Sequence, residues 1–208
     1  MKKQLVSLAV VAAIAAAAPA SAQLGGFKNP LAGNGSGQAV DADGVKKSVA
    51  TALTGLVEAN SRYAAALGKE TESAQLKEIA SGLKSGTLGV DSKLINTVSE
   101  LSASSVAEMK ARQASKDKIS ADGKKLLAEG LAYHVSGTVE GVNGSKKLKA
   151  ALESKSPAVL ASLASLKDFP VMFGQWTSAT GNMLSYMSYN GIDTAKADQT
   201  LKAAMKDG

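Results

Sequence analysis

His134 is the only histidine in the chain, and there is no cysteine. A zinc site of the usual nitrogen and sulfur ligands would have one imidazole at most, so no metal centre is expected. A serine–histidine–acid arrangement needs a hydroxyl beside that imidazole and a carboxylate behind it. Serines are plentiful, but no Gly-x-Ser-x-Gly elbow occurs and no motif pairs a serine with His134. Two carboxylates could hydrolyse a glycoside. Here the acids sit singly on lysine-rich stretches, and Glu70 with Glu72 stands at a helix start, where the macrodipole favours negative charge. No phosphate-binding loop or dinucleotide fingerprint appears, so no cofactor is expected. A hydrolase using His134 or these carboxylates is therefore the third functional reading, and a buried structural histidine is the expectation for His134 itself.

The stretch "FPVMFGQWTSATGNMLSYMSYNGI", residues 169–192, is the other place where residue types point to function. It carries no charge and holds five of the eight aromatic residues. At helical spacing Phe169, Met172, Phe173, Trp176, Met183, Leu184 and Met187 share one face, with Gly174, Ser178, Gly181, Ser185 and Ser188 opposite. The bulky face reads either as core or as the lining of a groove for a hydrophobic ligand or partner helix, methionine being adaptable on binding surfaces. With His134, six of these, Phe169, Met172, Phe173, Trp176, Met183 and Met187, form the candidate ligand or partner face. A membrane span is disfavoured by Gln175, Asn182 and the hydroxyls.

The elements that position these residues are all helical. Gly123, Gly130, Gly137 and Gly144 recur every seven residues in a stretch that otherwise reads as one long helix from about Ser120. An interior glycine costs about 1 kcal/mol relative to alanine. Gly130, Gly137 and Gly141 fall on one side, and a groove without side chains lets a neighbouring backbone approach to about 8 Å, the low end of helix-packing distances. The polar arc is read as narrow, with a possible kink at Asn143-Gly144. Gly174 and Gly181 repeat the spacing and are expected to serve close packing too.

The remaining helices follow from caps and apolar periodicity. Asp41 or Asp43 opens one carrying Val45, Val49, Leu53, Leu56 and Tyr63, which closes at Gly68. A shorter one with Leu76, Ile79 and Leu83 ends at Gly86. Asp91 caps a third, with Val90 and Ile95 placed as a hydrophobic staple. Ser156-Pro157 opens a short one, the 169–192 stretch supplies another from about Pro170, and Asp193 caps the last. No stretch alternates as a strand would. The fold class is an all-α, antiparallel multi-helix bundle of six to seven helices. "ADGVK" at 42–46 and "ADGKK" at 121–125 are a faint echo explained by capping; the remaining ligands of a calcium loop are missing.

Residues 1–22 read as a bacterial Sec-type signal peptide: Lys2 and Lys3, an apolar run from Leu5 to Ala18, then Ala20-Ser21-Ala22. The run falls short of the about 20 strongly apolar residues that span a bilayer. Glycine-rich residues 23–40 read as a flexible leader, and 41–208 as one domain. The 208-residue chain has a net charge of +6. The excess is carried by lysine, with Arg62 and Arg112 the two arginines, and aromatics are few, a pattern unlike nucleic-acid binders. The basic run at 110–125 reads as a solvated face or as a docking patch for an acidic partner or anionic lipid. The composite expectation is a periplasmic or secreted, non-enzymatic protein that binds a protein partner or envelope component. The alternative is a carrier of a hydrophobic small molecule or lipid, with the 169–189 helix lining its pocket.

Overall fold

Side-chain caps and glycine stops mark out the helices in the computed structural model, which describes residues 41–206 apart from Lys155. The expected signal at 1–22 and leader at 23–40 lie outside the described residues. Seven α-helices occur among those described: α1 Ala42–Ala66, α2 Glu70–Ser85, α3 Ser92–Ala114, α4 Ala121–Glu153, α5 Pro157–Leu163, α6 Phe169–Tyr189 and α7 Ala195–Lys206. A short 3₁₀ turn, Ala164–Leu166, joins α5 to the approach to α6. No strand occurs among the described residues, and the chain is an all-α helical bundle.

The boundaries follow local hydrogen bonding. A helix leaves its first N–H groups without partners inside it, and a short polar side chain at the N-cap accepts from one of them. The Asp41 carboxylate accepts from the Gly44 N–H at 2.8 Å, Asp91 from Leu94 at 2.7 Å, and the Ser120 hydroxyl from Gly123 at 3.0 Å. Asp193 accepts from the Ala195 N–H at 3.0 Å just ahead of α7. At the other end of α2, Gly86 takes φ +74°, a left-handed turn that L side chains rarely adopt.

α1 is the hub, with α2, α3, α4 and α5 all packed against it. Val49, Leu53, Leu56, Val57 and Tyr63 are fully buried on it, and so are Ala52, Ala59 and Ala64. Its main partner is α4, and the two run antiparallel. Gly137 faces Gly55, Gly130 lies under the Tyr63 ring, and Gly144 lies against Val49. The glycine line is therefore a seam on which α1 rests. α4 runs unbroken past Asn143-Gly144 to Glu153. Its solvent arc is wider than the polar residues alone suggested, because Ala128, Ala132 and Tyr133 also lie on it.

α6 packs antiparallel on the other flank of α4, and α3 closes the bundle beside α6. This α3–α6 seam runs parallel: Ser99 pairs with Gln175 and Gln113 with Ser185, each at 3.0 Å. Polar ties lock the ends. The Arg112 guanidinium donates to the Leu67 carbonyl at 2.8 Å, satisfying the C-terminus of α1. Asn190 accepts from the Ile119 N–H at 3.0 Å, holding the α3–α4 connection against the end of α6.

Glu58 joins α1, α2 and α4. Its side chain is only 13% exposed and pairs with Arg62 one turn on and with Lys84 of α2. The Arg62 guanidinium sits 4.1 Å from the centre of the Tyr133 ring on α4. Burial alone would raise the Glu58 pKa, but hydrogen bonds and charge from Lys84 and Arg62 hold it below the ordinary carboxylate value. Its stabilisation is thus complete at neutral pH and is lost as pH falls through that lowered value. Glu58→Gln is expected to cost about 1 kcal/mol in urea unfolding at pH 7, and progressively less below pH ~4. An equal loss at both pH values would show that the charge is not what matters.

Candidate functional site

The seven residues of the candidate face come together on α6 and α4, but as core. Phe169, Met183 and Met187 are sealed, at 1% exposure or less. Met172, Phe173 and Trp176 are buried with only their edges reaching the surface. Phe173 packs directly over Gly141, where a Cβ would lie 2.1 Å from the ring. A bulky face next to a side-chain-free strip buries the most apolar area, and that decides which way α6 turns.

His134 sits one turn from Gly130 and is 1% exposed. Its ring stacks on Trp176, centroids 4.6 Å apart, with Tyr63 at 6.2 Å. Nε2 lies 3.0 Å from the Thr180 hydroxyl, which donates to the Trp176 carbonyl at 3.2 Å. The imidazole and the hydroxyl share one hydrogen bond, whose donor follows the tautomer of the ring. The buried Nδ1 has no partner. The Trp176 indole N–H donates to Thr138 at 3.1 Å, a second polar tie between α4 and α6. Burial pushes the His134 pKa down to about 3, so the ring is neutral. No carboxylate is among its hydrogen-bond partners, and nothing here orients it as a general base. Among the described residues no group of three or more acid or histidine side chains is placed to hold a metal ion.

Gly174 and Gly181 require a correction. Both are exposed, and a Cβ built on either meets nothing within 4 Å. They share the seven-residue spacing of the α4 glycines but not their role, because no helix among the described residues lies against that side of α6. Ser178, Ser185 and Ser188 are exposed beside them, and Val171 is 66% exposed at one end. The result is an open, uncharged strip along a 21-residue helix.

A groove flanks the strip on each side. One, of about 310 Å³, runs between α3 and α6 over Val106, Met172 and Trp176. It opens because α3 presents Ala103 and Ala107 there, and Lys110 stands at its edge. The other, of about 620 Å³, lies between the last turns of α4, the first turns of α6, and α7. Phe173, Leu152, Pro170 and Met205 line it, with Lys146 and Lys149 at the rim. The sequence reading passed over this second groove. Its signal was Lys146 and Lys149 three residues apart beside Val142, but Met205 is brought there by the fold alone. The basic run at 110–125 is partly used internally: Arg112 caps α1, and Lys118 lies 3.3 Å from the centre of the Tyr189 ring.

No helix among the described residues is long and apolar enough to cross a membrane. No protein-family profile, curated protein or solved structure matches the chain, and the functional reading rests on this geometry.

Proposed function

We propose that this chain is an exported, non-catalytic helical protein that acts by binding a protein partner in the cell envelope, and that the partner docks on the outward strip of α6. The observation that carries the reading is that strip: Val171, Gly174, Ser178, Gly181 and Ser185 lie open on a helix without a charged residue along its length. An exposed helix of a water-soluble bundle ordinarily carries charge on its solvent side. Small side chains instead suit a partner helix that brings its own bulky residues to a close crossing. Export rests on the composition of residues 1–22, and places the action in the periplasm or outside the cell.

The carrier reading in its closed-pocket form draws less support, because Met183 is sealed and Phe173 and Trp176 are buried apart from edges that reach two open grooves. The hydrolase reading draws least, since His134 meets a sealed threonine hydroxyl and a tryptophan, with no carboxylate among its hydrogen-bond partners.

The absence of cysteine makes a site-specific test simple. Ser178→Cys, coupled to a photoreactive benzophenone and irradiated in the native envelope, is expected to give one discrete adduct. The same label at the exposed Lys77 of α2 is expected to give none, and adding Gly181→Arg to Ser178→Cys is expected to remove the adduct. Identical adduct patterns from both positions, or an adduct indifferent to Gly181→Arg, would rule out the strip as the docking surface.

A further inference from the structure

The groove between α4, α6 and α7 is mainly apolar, and its rim is basic. Phe173, Leu152, Pro170 and Met205 supply the apolar lining, while Lys146 and Lys149 stand on successive turns of α4 at the edge. Among the described residues Glu153 is the one acid that lines it, against two lysines, so their balance is positive. Ser145 also lines the groove, and its hydroxyl is buried and makes no hydrogen bond among the described residues. Ligand sites combine such an apolar cleft with a few convergent polar groups.

We infer that this groove binds a single-chain anionic amphiphile, a free fatty-acid carboxylate, with the acyl chain on Phe173, Leu152 and Met205 and the carboxylate between Lys146 and Lys149. The charge complementarity selects the headgroup. A neutral or cationic head gains nothing from the two ammonium groups, which present point charges to an anion. A volume of about 620 Å³ accommodates one extended chain of medium length. α7 forms the outer wall through Met205, and that helix packs on α4. The groove shares Gly174 with the α6 strip, but the two tests read different occupants and can fail separately.

The test is isothermal titration of the purified protein with decanoate, laurate and myristate, set against dodecanol and dodecyltrimethylammonium. Affinity is expected to rise about fourfold per added methylene, and laurate is expected to bind at least tenfold more tightly than either comparison amphiphile. Lys146→Glu with Lys149→Glu, both surface changes, is expected to weaken laurate at least tenfold while the circular dichroism spectrum stays unchanged. Thr177→Trp, which fills the groove, is expected to do the same. Ala107→Trp, which fills the α3–α6 groove instead, is expected to leave laurate binding intact. No binding of any acid, equal affinity for laurate and dodecanol, or loss confined to Ala107→Trp would overturn the assignment. So would binding to phosphatidylglycerol vesicles without binding of free laurate, which would identify a membrane surface. A dimer abolished by Lys146→Glu with Lys149→Glu, again without laurate binding, would identify a second copy as the occupant.

Discussion

Gly137→Ala is expected to destabilise the protein by about 2 kcal/mol, although alanine is the better helix former. The propensity gain from replacing an interior glycine is about 1 kcal/mol. Against it stands a Cβ that would lie 2.8 Å from the Leu56 nitrogen and 3.0 Å from the Gly55 carbonyl carbon. Both atoms belong to the α1 backbone, and no rotamer change moves them. α1 must shift away from α4, and that shift loosens the Leu53, Leu56 and Tyr63 packing, all three fully buried. Overpacking of this kind costs about 1–3 kcal/mol, and more where the obstacle is rigid. A net loss of about 2 kcal/mol lowers Tm by roughly 4–8 °C in a chain of this size. Gly55→Ala is expected to behave alike, since its own Cβ would meet the Gly137 Cα at 2.8 Å.

The same substitution has the opposite sign elsewhere on the heptad-spaced series. At Gly144 the nearest atom to an added Cβ is 3.5 Å away, an ordinary contact, and at Gly174 and Gly181 there is none within 4 Å. Alanine at each of these three is expected to stabilise by about 0.5–1 kcal/mol through propensity alone. Thermal unfolding followed by circular dichroism reads the whole series. If Gly137→Ala melts at or above the parent temperature, α1 does not rest on that seam.

This contrast marks where the sequence was legible and where it was not. Caps are local, so Asp41, Asp91 and Ser120 announce their helices within three residues, and the element count follows from them. Periodicity is also local: it says that Gly130, Gly137 and Gly141 share a face, and that Gly174 and Gly181 share another. Whether a partner backbone lies on that face is a property of the assembled bundle. On α6 the bulky side had more apolar area to bury, so it took the core and left the glycines outside. α1 was under-read for a related reason. Its buried Ala52, Ala59 and Ala64 carry little apolar signal, yet with Gly55 they make the smooth side that lets α4 come close. His134 was legible as a buried residue, whereas its stacking on Trp176 and its bond to Thr180 required α6 to be laid antiparallel on α4. The α4–α6–α7 groove was least legible, because Lys146 and Met205 meet only in three dimensions.

The second large effect is the response to acid, and it belongs to His134. The folded protein keeps this imidazole neutral down to about pH 3, because burial between Trp176 and Tyr63 penalises the charged ring. The unfolded chain exposes it, with a pKa of about 6.5. Between those two values the unfolded state binds a proton that the folded state does not, so stability falls as pH falls, by about 1.4 kcal/mol per pH unit once below 6.5. From pH 7 to pH 5 the expected loss is about 2 kcal/mol. Glu58 pushes in the same direction, but its contribution sets in only as pH approaches the ordinary carboxylate value, about 4.5, so the slope between pH 6.5 and 5 is mainly the histidine's. His134→Gln keeps a hydrogen-bond partner for Thr180 but cannot titrate; it is expected to be less stable at pH 7 by about 1–3 kcal/mol and nearly flat from pH 7 to 5. Urea unfolding at three pH values on both proteins measures the two slopes. Because the chain has a single histidine, its ring proton resonance can be followed without assignment, and it is expected not to move between pH 7 and 5 in the folded protein. A resonance that titrates near 6.5, or parallel slopes in the two proteins, would mean that the imidazole reaches solvent, and with it would fall the reason for reading His134 as a structural tie between α4 and α6.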